Sequence, residues 1–314
     1  MPDLTGKVAL VTGGNAGIGY STVEQLAAHG AKVYMAARSE AKASEAIAKI
    51  RSAHPEIKDG AITWVQLDLS SPASVVAAAE KVKGLEERLD ILINNAGLGP
   101  SPFKRNESGI EMLFATNHIG HFILADRLLP LMKKTAEDPT SDVRIVTVSS
   151  MAHAHTPANT TFATATALSN PCGLEADGLF AGFKRYGVSK LANILFASEL
   201  QRRLDAEPPT TGNPIISISL HPGGVATDSG MGVFPNFCKP VLRMLMATPL
   251  QGATTQLFAA TAKEVRAAKE VYGGKYLMPY GKVTRPSKMG MDEKMAGELW
   301  KASEEVVQRV CEGL

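Results

Sequence analysis

Short runs dominated by apolar residues alternate with longer segments of helical periodicity from the start of the chain. Residues 8–11, 33–36, 62–67, 91–93, 144–148 and 215–220 form the short runs. Such near-continuous stretches fit strands buried on both faces rather than on one. Residues 18–28, 40–51 and 72–87 space their apolar positions as helices do. The alternation predicts an α/β fold, a doubly wound parallel sheet of about seven strands between two layers of helices. No internal repeat or linker-like stretch interrupts it, so residues 1–314 are expected to form a single domain. The Ala/Thr-rich stretch 156–167 reads as a loop.

Composition narrows the function classes. Apolar residues make up 45% and charged residues 20% of the chain, which suits a globular protein with a substantial core. The net charge is +2, with no dense Lys/Arg run, so the footprint of a dedicated nucleic-acid binder is missing. Cys172, Cys238 and Cys311 are few, odd in number and far apart, which favours a reducing compartment over a disulfide framework. No signal-peptide core precedes the first strand, and no stretch approaches the roughly 18 apolar residues of a membrane span. The expectation is a soluble, cytoplasmic protein.

Candidate chemistry begins between the first strand and the first helix, at Thr12-Gly13-Gly14-Asn15-Ala16-Gly17-Ile18-Gly19. Glycines there let the backbone turn tightly and approach a pyrophosphate, whose charge the helix N-terminus favours. The spacing is G-x-x-x-G-x-G, which differs from the G-x-G-x-x-G of other Rossmann-type enzymes. This fingerprint resembles that of the short-chain dehydrogenase/reductase family. Gly13, Asn15, Gly17, Ile18 and Gly19 are the expected cofactor contacts.

Other segments speak to the cofactor. The second strand ends in Ala36-Ala37-Arg38-Ser39. The carboxylate that would bond the ribose of NAD is absent, and a guanidinium able to fork onto a 2′-phosphate follows. NADP(H) is therefore preferred, with NAD(H) still possible, and Arg38 and Ser39 are the candidate phosphate contacts. The family resemblance adds Asp68 at the adenine. It also adds Asn94, Ala96 and Gly97 from Asn94-Asn95-Ala96-Gly97. His221-Pro222-Gly223-Gly224-Val225-Ala226-Thr227 resembles the family's nicotinamide-side motif, which implies contacts from Pro222, Gly223, Val225 and Thr227.

Tyr186-Gly187-Val188-Ser189-Lys190 is expected to open a helix, with the i,i+4 spacing placing phenol and ammonium on one face. A free tyrosine ionises near pH 10, and a neighbouring cation lowers that value. Tyr186 then serves as general acid or base on a carbonyl or alcohol oxygen. Taken alone, the pair is a weak motif. Its company strengthens it, because Ser149-Ser150 closes the strand at 144–148, where the family carries its catalytic serine. The family pattern selects Ser150 as donor to the substrate oxygen. Asn117 matches the family's helix asparagine, which supports a proton-relaying water. The resemblance thus implies catalysis by Asn117, Ser150, Tyr186 and Lys190, the last also binding the nicotinamide ribose.

One departure stands out. Ser150 and Tyr186 are 36 positions apart, against about a dozen in many family members. The extra segment, 151–185, is expected to loop out and wall a substrate pocket. A similar lengthening, and the residues around Asn117 and Lys190, resemble the retinol-dehydrogenase-like branch. The Met-, Phe- and Pro-rich stretch 228–248 forms either a mobile apolar lid or ordinary core packing. Residues 276–282 and 292–311 resemble the C-terminal part of filamentous-fungal short-chain reductases, which implies secondary-metabolite tailoring. The expected partner is a hydrophobic carbonyl or alcohol. Homodimer and monomer both stay open.

Competing chemistry is weaker. His153 and His155, two apart without a nearby Cys or carboxylate, make a poor metal site, and no metal is expected. No G-x-S-x-G elbow accompanies Ser149 and Ser150, which sets a hydrolase aside. The rival to a reductase is a dinucleotide-binding scaffold, a sensor or a non-redox catalyst on the same fold.

Overall fold

In the computed structural model, which describes residues 1–225 and 246–314, β1 (Val8–Thr12) is buried at every position. Its residues enter two cores alternately, Val8 and Leu10 on one face and Ala9 and Val11 on the other. This is why the run shows no polar alternation: the strand has no solvent side.

The other strands are β2 (Lys32–Ala37), β3 (Ile62–Gln66), β4 (Ile91–Asn94), β5 (Arg144–Val148), β6 (Ile216–Leu220), β7 (Tyr276–Met278) and β8 (Lys282–Thr284). They form one sheet in the order β3-β2-β1-β4-β5-β6-β7-β8. Every pairing is parallel except β7 with β8. Among the described residues the sheet therefore has one more strand than the seven or so expected. The added hairpin runs are three residues each, too short for a periodicity to register.

The main helices are α1 (Gly17–Ala28), α2 (Glu40–Ala53), α3 (Pro72–Leu85), α4 (Gly120–Ala136), α5 (Leu179–Ala206), α6 (Pro249–Thr261) and α7 (Glu293–Val310). α1, α2 and α6 cover one face of the sheet, and α3, α4, α5 and α7 cover the other. Local signals start several of them. Ser39 accepts from Lys42 N ahead of α2, Thr248 and Gln251 form a capping box with Pro249 behind it, and Asp292 caps α7.

α5 corrects one expectation. It begins at Leu179, not at Tyr186, after Gly178 with φ of 108°. The last residues of the 151–185 segment are thus helical. Among the described residues, no helix is long and apolar enough to cross a membrane. Thr227, Cys238 and most of 228–248 fall outside the described residues.

From β1 the chain winds to β2 and β3 on one side, then crosses to β4, β5 and β6 on the other. The carboxyl ends of β1 and β4 consequently splay around a crevice, the place where ligands bind in open sheets of this kind.

Candidate active site

A cleft of 1480 Å³ opens at that switch point. Gly13, Asn15, Gly17, Ile18 and Gly19 line it at the glycine loop. Gly19 is there because nothing larger fits: a Cβ would lie 2.2 Å from the Gly13 carbonyl oxygen and 2.6 Å from Asn95 Nδ2. Ala16, ahead of α1, offers no side-chain cap, and the first turn carries no acid. Its leading N–H groups remain free for an anion, and the helix dipole favours one.

Thr12 organises the loop from beneath. Its Oγ1 accepts from Asn95 N and Ala96 N, both at 2.9 Å, and lies 2.9 Å from His121 Nε2. His121 Nδ1 donates to the Asn117 carbonyl at 3.0 Å, which leaves Nε2 as the acceptor for the threonine hydroxyl. Burial pushes His121 down to about 4, so the ring is neutral and holds that role. Neither Thr12 nor His121 was singled out as a functional position by sequence; the only signal was their place in two motifs.

Farther along the cleft lie Arg38, Ser39, Lys42 and Asp68. Two cations follow the end of β2, where Ala37 stands in place of an acid. Ser39 also caps α2, and Lys42 on that helix was missed because its spacing reads as an ordinary surface lysine. Asp68 Oδ1 accepts from Ser70 N at 2.9 Å and from Ser70 Oγ at 2.7 Å, which fixes its carboxylate.

After β4 the expected contacts divide. Ala96 and Gly97 line the cleft, but Asn94 does not. Asn94 is fully buried in the sheet, its Nδ2 reaching Thr147 Oγ1 at 3.4 Å. Asn95 lines the cleft in its place and donates to the Thr12 carbonyl at 2.8 Å. The reason is strand alternation, which sends consecutive side chains to opposite sides. Pro222, Gly223 and Val225 line the cleft beyond β6.

The residues expected to handle the proton also lie on the cleft. Ser150, Tyr186 and Lys190 all face the cleft. Lys190 is buried, and its Nζ donates to the Val148 carbonyl at 3.0 Å. Burial alone brings the ammonium down to about 8. Tyr186 departs from the sequence expectation. Its phenol is pushed up, because burial outweighs the opposing hydrogen bond from Ser150. Lys190 lies over the ring, 5.7 Å from its centroid. Ser149 also lines the cleft, but its hydroxyl is committed to the Lys190 carbonyl at 2.7 Å.

Asn117 lies behind this group, fully buried and not on the cleft surface. Its Oδ1 accepts from Leu98 N at 2.7 Å, and its Nδ2 donates to Leu98 O at 3.0 Å and Ser189 Oγ at 2.9 Å. The side chain braces the loop after β4 against α5. A π-helical turn, Ala115–Ile119, carries it. A Cβ on Gly97 would lie 3.2 Å from Asn117 Oδ1 and 3.3 Å from Lys190 Nζ.

His118 and His121 are packing and bracing groups. His118 is buried among Phe114, Phe122 and Phe196, with Nε2 3.1 Å from Ser303 Oγ. His153 Nδ1 donates to the Ser150 carbonyl at 2.7 Å and its Nε2 accepts from Ser287 N at 3.0 Å. The mouth of the cleft beside Tyr186 carries Leu98, Pro100, Met112, Leu179, Phe180 and Phe183.

The family model described as short chain dehydrogenase matches residues 7–166. The short chain dehydrogenase/reductase dpchH of Colletotrichum higginsianum is 50% identical over 303 residues, 96% of this chain and 74% of that protein. Mouse retinol dehydrogenase 14 is 35% identical over 318 residues, 96% of this chain and 86% of its own length. The Pseudomonas aeruginosa RhlG/NADP active-site complex superposes with a TM-score of 0.62 at 26% identity, covering 89% of this chain and 96% of the other. Fold, glycine loop and sequence agree, and the chain belongs to the short-chain dehydrogenase/reductase family of oxidoreductases.

Proposed function

We propose that the protein is an NADP(H)-dependent carbonyl reductase, acting reversibly on a hydrophobic ketone, aldehyde or secondary alcohol. The observation that carries the reading is the Ser150–Tyr186–Lys190 group on a cleft whose far end holds Arg38 and Lys42. The RhlG neighbour carries NADP in its active site, which supports the same cofactor here.

NADP(H), when bound, supplies or accepts the hydride. The remaining work belongs to the chain. The glycine loop and α1 N-terminus hold the pyrophosphate, and Arg38 with Lys42 neutralises the 2′-phosphate. Ser150 donates to the substrate oxygen and stabilises charge developing there. Tyr186 gives its proton to that oxygen. In the reductive direction the phenol acts as acid, and in the oxidative direction its phenolate acts as base. Lys190 keeps a positive charge beside the phenol as it ionises. Asn117 and Thr12 position these groups without touching substrate.

The apolar mouth supports a neutral, hydrophobic substrate. Fluorescence titration with NADPH and NADH, followed by turnover on a carbonyl panel, tests the reading. NADPH should bind the tighter and be consumed with at least one apolar carbonyl. Tight binding without turnover across the panel would favour the scaffold instead.

A further inference from the structure

Arg185 immediately precedes Tyr186, yet its side chain points away from the cleft and is 1% exposed. Its guanidinium collects carbonyls from two separate segments. Nη1 donates to Leu174 O at 3.1 Å and Ala176 O at 2.8 Å, and Nη2 donates to Ser101 O at 2.8 Å. Nε stands 3.6 Å from Glu111 Oε1, and neither of those atoms has a hydrogen-bond partner among the described residues. Glu111 uses its other oxygen to accept from Phe114 N at 2.8 Å, at the start of the turn that leads to Asn117.

The same segments are joined by further bonds. Phe103 N donates to Asp177 Oδ1 at 2.9 Å, Arg105 pairs with Glu175 at 2.6 Å, and Glu111 N donates to Ser169 O at 2.9 Å. Gly182 lets the first turns of α5 sit against this loop, since a Cβ there would lie 2.7 Å from Ser101 O. A buried guanidinium with three carbonyl acceptors and a buried carboxylate is costly unless its partners stay in place. The loop after β4 (Leu98 and Pro100), Met112 beside Glu111, and the start of α5 (Leu179, Phe180 and Phe183) line the cleft mouth, and the 169–178 segment backs them without lining it. Leu179 and Phe180 are 62% and 73% exposed, and the contact the Phe180 ring makes among the described residues, with the Lys184 ammonium 4.5 Å from its centroid, leaves large apolar surface open.

We infer that Arg185 is a positioning residue for substrate selection: it holds the 98–103 loop and the start of α5 against the 169–178 segment behind them, so that the first two form one preformed apolar wall that receives the body of a bulky, uncharged carbonyl compound. The inference rests on the reductase reading for the reacting end of that substrate. A small aldehyde reaches Tyr186 and Ser150 without touching the wall. A two-ring ketone buries its rings on Phe180 and Phe183 and gains affinity there.

The test compares wild type with Arg185→Lys and with the double variant Arg185→Met/Glu111→Gln, which leaves no unpaired buried charge and keeps the cap on Phe114. Readouts are kcat and KM for a three-carbon aldehyde and for a naphthyl ketone, NADPH affinity, and equilibrium binding of the naphthyl ketone followed by its own polarity-sensitive emission. The double variant should bind the naphthyl ketone about tenfold more weakly, with the loss in KM, while aldehyde turnover and NADPH affinity stay within about twofold. Arg185→Lys should recover part of the discrimination. Equal losses for both carbonyls, or unchanged naphthyl ketone binding in the folded double variant, would overturn the assignment. Naphthyl ketone binding that depends on Arg185 in a protein that turns over neither carbonyl would sustain the wall and sink the reductase.

Discussion

Lys190 Nζ donates a 3.0 Å hydrogen bond to the carbonyl of Val148, and Asn193 Nδ2 donates to the same oxygen at 3.0 Å. Val148 is the last residue of β5, and Ser150 follows it by two positions. Ser149 returns the tie, its hydroxyl donating to the Lys190 carbonyl. The strand that leads to Ser150 and the helix that carries Tyr186 are therefore joined by direct bonds within a few residues of both. Preorganisation of this kind lets a proton donor and an oxyanion donor meet one substrate atom without rearrangement.

The two adjacent serines should separate under mutation. Tyr186→Phe should keep NADPH affinity and lower turnover by about 10²- to 10⁴-fold. Ser150→Ala should lower kcat with a normal melting temperature. Ser149→Ala removes a buried bond to Lys190, so it should cost about 1–3 kcal/mol of stability and affect kcat less. Steady-state kinetics beside thermal unfolding distinguishes them; a larger kcat loss for Ser149→Ala would reverse the assignment.

Arg38 and Lys42 define a prediction about cofactor choice. A charge-assisted bond to phosphate contributes about 1.5–3 kcal/mol. Arg38→Ala should therefore weaken NADPH about tenfold or more and leave NADH within about twofold, and Lys42→Ala should act in the same direction. The check is the ratio of the two dissociation constants for each variant. Parallel weakening of both cofactors would mean that these cations do not read the 2′-phosphate.

At Gly19 the prediction is steric. A methyl group 2.2 Å from the Gly13 carbonyl oxygen forces the loop away from α1. Gly19→Ala should retain secondary structure by circular dichroism and lose detectable NADPH binding by fluorescence titration. Wild-type affinity in this variant would mean that the loop relaxes without consequence.

These positions differ in how far sequence alone exposed them. The glycine loop was legible because its chemistry is local: one strand, one turn and one helix start carry the whole signal. Tyr186 and Lys190 were legible through helical spacing, although the helix begins a full seven residues earlier, at Leu179. Asn94 and Asn95 exchanged roles because a motif does not state which side of the strand each side chain takes. The phenol of Tyr186 is pushed up rather than down, since spacing reveals Lys190 but not the burial around the ring. Arg185, Thr12 and His121 act through partners 74 to 109 positions away or across loop carbonyls, and no local pattern announces such contacts.

Buried imidazoles give the last prediction. Burial brings His118 to about 3 and both His121 and His221 to about 4. In the unfolded chain each titrates near 6.5, so between these values the unfolded state binds more protons. Stability must then rise with pH across that window and fall as pH drops through it, by up to about 1.4 kcal/mol per pH unit for each ring. The carboxylates of Asp142 and Glu199 lie below their ordinary range, and they add to the loss only at more acid pH. Lys190, at about 8 when folded, has the same sign at the other end, with stability rising as pH climbs from about 8 toward the roughly 10.4 of a free lysine. Urea unfolding at pH 7, 6 and 5 should show a steadily falling midpoint. His118→Gln keeps a donor for Ser303 but cannot titrate, so its midpoint should fall less steeply over the same range. Equal midpoints at pH 5 and 7 in the wild-type protein would show that these rings are protonated in the folded state at little cost.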